Sequence, residues 1–181
     1  MDGKVHTYKT RLVAKDYTQT HVIDYEETFS PLAKIKSIRI MLAIAAFHDY
    51  EIWQMDVKTA FLNEKLTKDV FMAQLEGFEN AKYPKRVCKL QKAMYRLKQA
   101  SPSWNLYFYE KVTQFGFSRS KDESCIYVKV SESVVVFLVL YVDDILLIRN
   151  ENVTKCIRLV GEMFRYERFR RCNVYSWYKH L

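Results

Sequence analysis

Two rhythms of apolar and polar residues run along this chain. From Ile35 to Phe47, Ile35, Ile38, Leu42, Ala45 and Ala46 recur at helical spacing, predicting a helix that starts at Ser37 or slightly earlier and ends at His48-Asp49. Glu51–Val57 (EIWQMDV) changes to a two-residue alternation and predicts a short strand with Asp56 near its C-terminal end. Ser101 as N-cap and Pro102 at the first helical position open a second helix. Trp104, Tyr107, Phe108, Lys111, Val112 and Phe115 follow at helical intervals, with Gly116 as its cap. Tyr8–Lys15, Val70–Ala73 and Cys125–Val130 read as further strands, Arg86–Leu90 alternates charged and apolar residues, and Asn80–Pro84 is a loop. Phe29-Ser30-Pro31 breaks the pattern ahead of the first helix.

The most apolar stretch is Val134–Tyr141, followed by a second run at Ile145–Ile148. Asp143 and Asp144 separate the two, which predicts a hairpin with carboxylates at its tip. Tight two-residue turns favour positive φ, and no glycine or Asn-Gly stands here, so backbone strain is expected near Val142 or Asp143. A helix is expected from Glu151 to about Phe164, while Arg165–Leu181 is rich in arginine and aromatics without a clear period.

The 181 residues, 49% of them hydrophobic, suffice for one sizeable core, as one domain or two subdomains. A formal charge of +8 suits an acidic polymer such as nucleic acid, and equally a solvated basic surface. Cys88, Cys125, Cys156 and Cys172 lack zinc-ligand spacing and read as reduced, mostly buried thiols. The polar N-terminus has no signal-peptide core, and the two aspartates exclude Val134–Ile148 as a membrane helix, so an intracellular protein without a membrane partner is expected.

If the strands bearing Asp56 and the Asp143–Asp144 pair share a sheet, three carboxylates converge. Carboxylates are the oxygen ligands that Mg²⁺ prefers, and such a trio could hold two ions about 3.5–4 Å apart. Against this, an isolated Asp-Asp pair is usually a solvated turn, and a lone Asp at a strand end often caps one.

Five ordered segments tip the balance. KTRLVAK (9–15), DYEETFSPLAKIKSIR (24–39), WQMDVKTAFLN (53–63), LKQAS (97–101) and YVDDILLI (141–148), the last containing a YVDD box, resemble the polymerase of copia-type LTR retrotransposons, a reverse transcriptase within a Pol polyprotein. The resemblance covers roughly residues 4–150. It implies an RNA-directed DNA polymerase that adds dNTPs to a DNA primer on an RNA template by two-metal nucleotidyl transfer, with Mg²⁺, or Mn²⁺ in its place. Asp56, Asp143 and Asp144 then match the catalytic metal ligands, joined by the Val57 backbone. Phe61 matches the aromatic beneath the sugar that excludes a 2′-hydroxyl, its alternative being a core phenylalanine. Gln99 matches a contact to the incoming nucleotide, and Arg11 and Lys15 the basic strand over its triphosphate, their alternative being a solvated face. Trp104 reads as packing.

The implied architecture is α+β, a partial right hand. Fingers come from 4–35 and parts of 64–100. The palm carries Asp56 and the 134–148 hairpin in an antiparallel sheet backed by helices 35–48 and 102–116, and the thumb is missing. Residues 1–150 form the polymerase region and 151–181 a divergent tail, read as out of frame. Asp16, Arg96 and Arg149 stand where the family usually has glycine, and Pro102 where a basic residue is common. These departures support a second reading, an inactive remnant with only non-specific nucleic-acid affinity. By the element's life cycle the expected compartments are cytoplasm and nucleus.

Overall fold

The computed structural model describes residues 13–14, 19–22, 25, 30–62, 66, 68–150, 154–164 and 166–172, with the backbone alone at 154–157, 159, 166–169 and 172. The chain divides into two units, one of residues 1–28 and 61–103, the other of 29–60 and 104–181.

The larger unit is a six-stranded antiparallel sheet. Its strands are β1 (Glu51–Val57), β4 (Ser118–Arg119), β5 (Ile126–Ser131), β6 (Val134–Tyr141), β7 (Asp144–Arg149) and β8 (Tyr166–Cys172), in the order β4-β5-β6-β7-β1-β8. β6 and β7 are interior strands covered on both faces, which is why they read as unbroken apolar runs rather than alternations. One face packs against helix α1 (Ile35–Phe47): its Ile38, Met41, Leu42 and Ala45 cluster with Ile52, Val139, Leu146 and Ile148. The opposite face receives the aromatics of helix α2 (Ala100–Gln114): Phe108 meets Tyr127 edge-on, stacks on Phe164 at 5.0 Å, and adjoins Trp104. Phe164 closes helix α3 (Thr154–Met163). No helix among the described residues is long and apolar enough to cross a membrane.

α1 has no side-chain N-cap of its own. Glu123, only 8% exposed, accepts the Lys34 N–H at 3.4 Å and the Ser37 hydroxyl at 2.9 Å, so a distant carboxylate supplies the anionic cap. α2 ends as its sequence suggests, with Gly116 at φ +82° and the Phe117 N–H returning to the Val112 carbonyl. Its start differs: Ala100 opens the helix, so Ser101 is helical and not the cap. Pro102 still lies in the first turn, where its missing N–H would have no helical partner.

Other differences are local. The second hairpin strand begins at Asp144, not Ile145, and β5 spans Ile126–Ser131. Arg149 does not take the left-handed backbone its glycine-like place suggested. It is an extended residue of β7, 6% exposed and paired with Glu51 and Val136. Tyr166–Cys172, which showed no period, is strand β8 against β1. Cys125 is a buried thiol, but Cys88 is exposed.

In the smaller unit, β2 (Phe71–Ala73) pairs with β3 (Val87–Lys89), and Val13 bridges Tyr95. Ala14, Val70, Ala93, Met94, Leu97 and Ala100 form its core, with Phe61 and Leu62 packed against them. Gln74 fastens the β2–β3 connection by donating to the Tyr83 and Pro84 carbonyls and accepting the Asn80 N–H.

Candidate metal centre and active site

β1 and β7 pair so that Asp56 stands directly opposite Asp144. Directly opposed residues of an antiparallel pair point to the same face with Cβ atoms about 4.5–5.5 Å apart, and two like charges there repel. Asp143 occupies the β6–β7 turn between Tyr141 and Asp144, and its carbonyl accepts the Val57 N–H at 3.0 Å, tying the turn to the end of β1. Asp56, Val57, Asp143 and Asp144, from two distant stretches of chain, thus occupy neighbouring backbone positions at one corner of the sheet.

The turn that carries them is strained. Val142 lies at φ +61°, while Asp143 is not at positive φ, the pattern of a type II′ turn that normally has glycine first. A β-branched residue there costs about 1–2 kcal/mol. Two hydrogen bonds anchor it: the Val57–Asp143 bond, and the Trp104 indole N–H donating to the Val142 carbonyl at 2.8 Å. Trp104 is 2% exposed, so it packs as expected and also fixes the acid-bearing turn.

Asp144 is held in addition. The Gln54 amide, two residues before Asp56 and therefore on its face of β1, donates to Asp144 Oδ1 at 3.0 Å. Arg170 of β8, opposite Gln54, donates to Gln54 Oε1 from Nε at 3.0 Å and Nη2 at 2.6 Å. Burial pushes the Asp144 carboxyl above its usual range, and Asp143 and Asp56 push the same way against the Gln54 hydrogen bond and the Arg170 charge. A cation would relieve this crowding, and the donor set is the hard oxygen chemistry that Mg²⁺ and Mn²⁺ accept. The residues therefore fit a divalent ion in the kind of donor they offer. As their side chains stand, however, no three acidic, His or Cys groups among the described residues converge on a single point. Side-chain rotation would be needed to close the cage.

In the smaller unit, Gln99 has its Oε1 engaged by Gln19 Nε2 at 3.0 Å, and Gln19 Oε1 accepts the Lys98 N–H at 3.0 Å. A backbone N–H can only donate, so this chain of bonds fixes both amides and leaves Gln99 Nε2 as a buried donor without a hydrogen-bond partner among the described residues. Phe61 meets Tyr95 edge-on at 5.8 Å and is half-buried, packed against that unit's core. Arg96 lies at φ +70°, the left-handed conformation that its glycine-like place implied. Arg11, Lys15 and Asp16 lie outside the described residues. Gln54, Arg170 and Gln19 were not singled out from sequence. Only Gln54 offered a signal, its two-residue offset from Asp56.

The family model described as "Reverse transcriptase (RNA-dependent DNA polymerase)" matches residues 1–170. The chain is similar to the Retrovirus-related Pol polyprotein from transposon RE1 of Arabidopsis thaliana, 43% identical over 150 residues, or 83% of this chain and 10% of that protein. It is likewise 43% identical over 152 residues to the Retrovirus-related Pol polyprotein from transposon TNT 1-94 of Nicotiana tabacum, 83% of this chain and 11% of that one. The chain thus spans about a tenth of the length of these relatives. No solved structure matches it.

Proposed function

Since the chain belongs to the reverse transcriptase family, we propose that it is the fingers-and-palm part of a retrotransposon polymerase that extends a DNA primer on an RNA template. The reading rests on Asp56 standing across from Asp144 with Asp143 in the adjoining turn. Asp56, Asp143, Asp144 and the Val57 carbonyl would hold the divalent ions, Mg²⁺ or Mn²⁺. When bound, these supply a more acidic primer 3′-hydroxyl and neutralise charge on the triphosphate. The protein's own part is positioning. The fixed turn holds the backbone of Asp143 and Asp144 beside Asp56, and rotation of the side chains would complete the ligand set. Gln99 offers its Nε2 donor to an acceptor on the incoming nucleotide. Arg11 and Lys15 place positive charge toward the phosphates, and Phe61 packs beneath the sugar against a 2′-hydroxyl.

A second reading, a remnant that binds nucleic acid without catalysis, is favoured by Arg96 in a left-handed backbone three residues before Gln99 and by the charged Arg149 within the sheet. Extension of oligo(dT) on poly(rA) with Mg²⁺ separates the two. The polymerase reading expects extension by the native chain and a loss of at least about 100-fold in Asp143→Asn. Salt-sensitive binding of the same duplex without any extension supports the remnant instead.

A further inference from the structure

We propose that Gln54 and Arg170 act as positioning residues that orient the Asp144 carboxylate for coordination of a divalent cation. The inference rests on the reading of Asp144 as a metal ligand and adds to it a role for the C-terminal strand.

The relay begins at Arg170. A guanidinium has donors only, so the atom it meets on Gln54 must be the carbonyl oxygen. Two of its N–H groups reach Gln54 Oε1, at 3.0 and 2.6 Å. That contact selects one of the two amide orientations and turns Nε2 away from β8. Nε2 then meets Asp144 Oδ1 at 3.0 Å. The flipped amide would set an NH₂ against the guanidinium and a carbonyl against a carboxylate, two repulsions in place of two bonds. Arg170 therefore determines what Gln54 offers, and Gln54 determines which Asp144 oxygen is engaged. With Oδ1 held, the Asp144 carboxylate is fixed in orientation beside Asp56, its partner across the strand pair.

The backbone supports the same relay. Gln54 and Arg170 are direct register partners of β1 and β8, and Arg171 pairs with Glu51 at 3.2 Å to hold that part of β8 in place. Hydrogen bonds of this kind behind metal ligands commonly change metal affinity 10–100-fold when removed.

The charge of Arg170 gives a prediction of opposite sign to a simple field effect. Removing a positive group near a cation site should tighten cation binding by Coulomb's law alone. The relay requires the reverse, because without Arg170 the Gln54 amide loses two of the hydrogen bonds that orient it and holds Asp144 less firmly.

Mn²⁺ binding followed by electron paramagnetic resonance on the full chain provides the test, with no dependence on turnover. Gln54→Leu is expected to weaken Mn²⁺ binding about 10-fold. Arg170→Met is expected to weaken it by a smaller factor, Arg170→Lys to recover part of that loss, and the double variant Gln54→Leu/Arg170→Met to bind no worse than Gln54→Leu. Arg170 is exposed, so its variants probe the relay even if Gln54→Leu fails to fold. Unchanged or tighter binding in Arg170→Met overturns the relay while leaving the metal site standing. A native chain that binds no Mn²⁺ overturns both.

Discussion

Trp104→Phe isolates the force that keeps the carboxylate turn in its strained form. The substitution keeps an aromatic ring against Phe108 and Phe164 but removes the N–H that reaches the Val142 carbonyl at 2.8 Å. The part-buried Val142 carbonyl left without its donor costs about 1–2 kcal/mol, and the smaller ring adds about 1 kcal/mol of lost packing. The total of about 2–3 kcal/mol corresponds to a fall in Tm of roughly 4–12 °C for a chain of this size. The strain supplies an internal control. Val142 at φ +61° resists the turn, and glycine would not. In a Val142→Gly background the turn needs less holding, so Trp104→Phe should cost measurably less there, by about 1 kcal/mol. Thermal unfolding by circular dichroism of the four proteins in this cycle gives the answer. A Tm within 1 °C of the native value (roughly 0.3 kcal/mol), or an equal cost in both backgrounds, would refute the reasoning.

Three further outcomes follow from the same geometry. Because the Asp144 carboxyl is raised above its ordinary value of 3.8, the folded state favours its protonated form; that contribution to stability is full below the ordinary value and is lost as pH rises through the raised one. Asp144→Asn should therefore gain Tm relative to the metal-free native chain as pH rises through this window, and Mg²⁺ should narrow the gap; a pH-independent difference contradicts this. Arg96→Gly should raise Tm by about 2–4 °C through relief of roughly 1 kcal/mol of left-handed strain, and a fall would show that the contacts of the Arg96 side chain outweigh it. Gln19→Leu should raise the KM for dNTP about 10-fold with kcat nearly unchanged, the loss of one ordered hydrogen bond; a kcat effect without a KM effect would contradict a positioning role for Gln19 on Gln99.

The elements written into local pattern were legible. The helical spacing of Ile35–Phe47, the alternation of Glu51–Val57 and the apolar run of Val134–Tyr141 each match an observed element in extent. The strained turn was legible too, because Val142-Asp143 lacks the residues such a turn favours. What could not be read is long-range. Strand β8 lies against β1, a pairing between distant stretches of chain. An arginine-rich edge strand has no apolar alternation to announce it. The Asp56–Asp144 register, the Trp104 bond and the Gln54–Arg170 contact all join residues far apart in sequence, and a side chain that bonds a backbone carbonyl leaves no motif. Arg149 misled because its glycine-like place suggested a backbone strain, whereas the extended strand accommodates it and the cost becomes the burial of a charge.

Iron cleavage mapping reaches the metal site most directly. Fe²⁺ substitutes for Mg²⁺ at oxygen ligands, and with ascorbate and peroxide it cuts the polypeptide beside whatever holds it. Fragments ending near Asp56 and near Asp143–Asp144, suppressed by excess Mg²⁺ and absent in Asp56→Asn, are the expected result. Cleavage elsewhere, or cleavage at these positions that persists in Asp56→Asn, would contradict the shared-cation account.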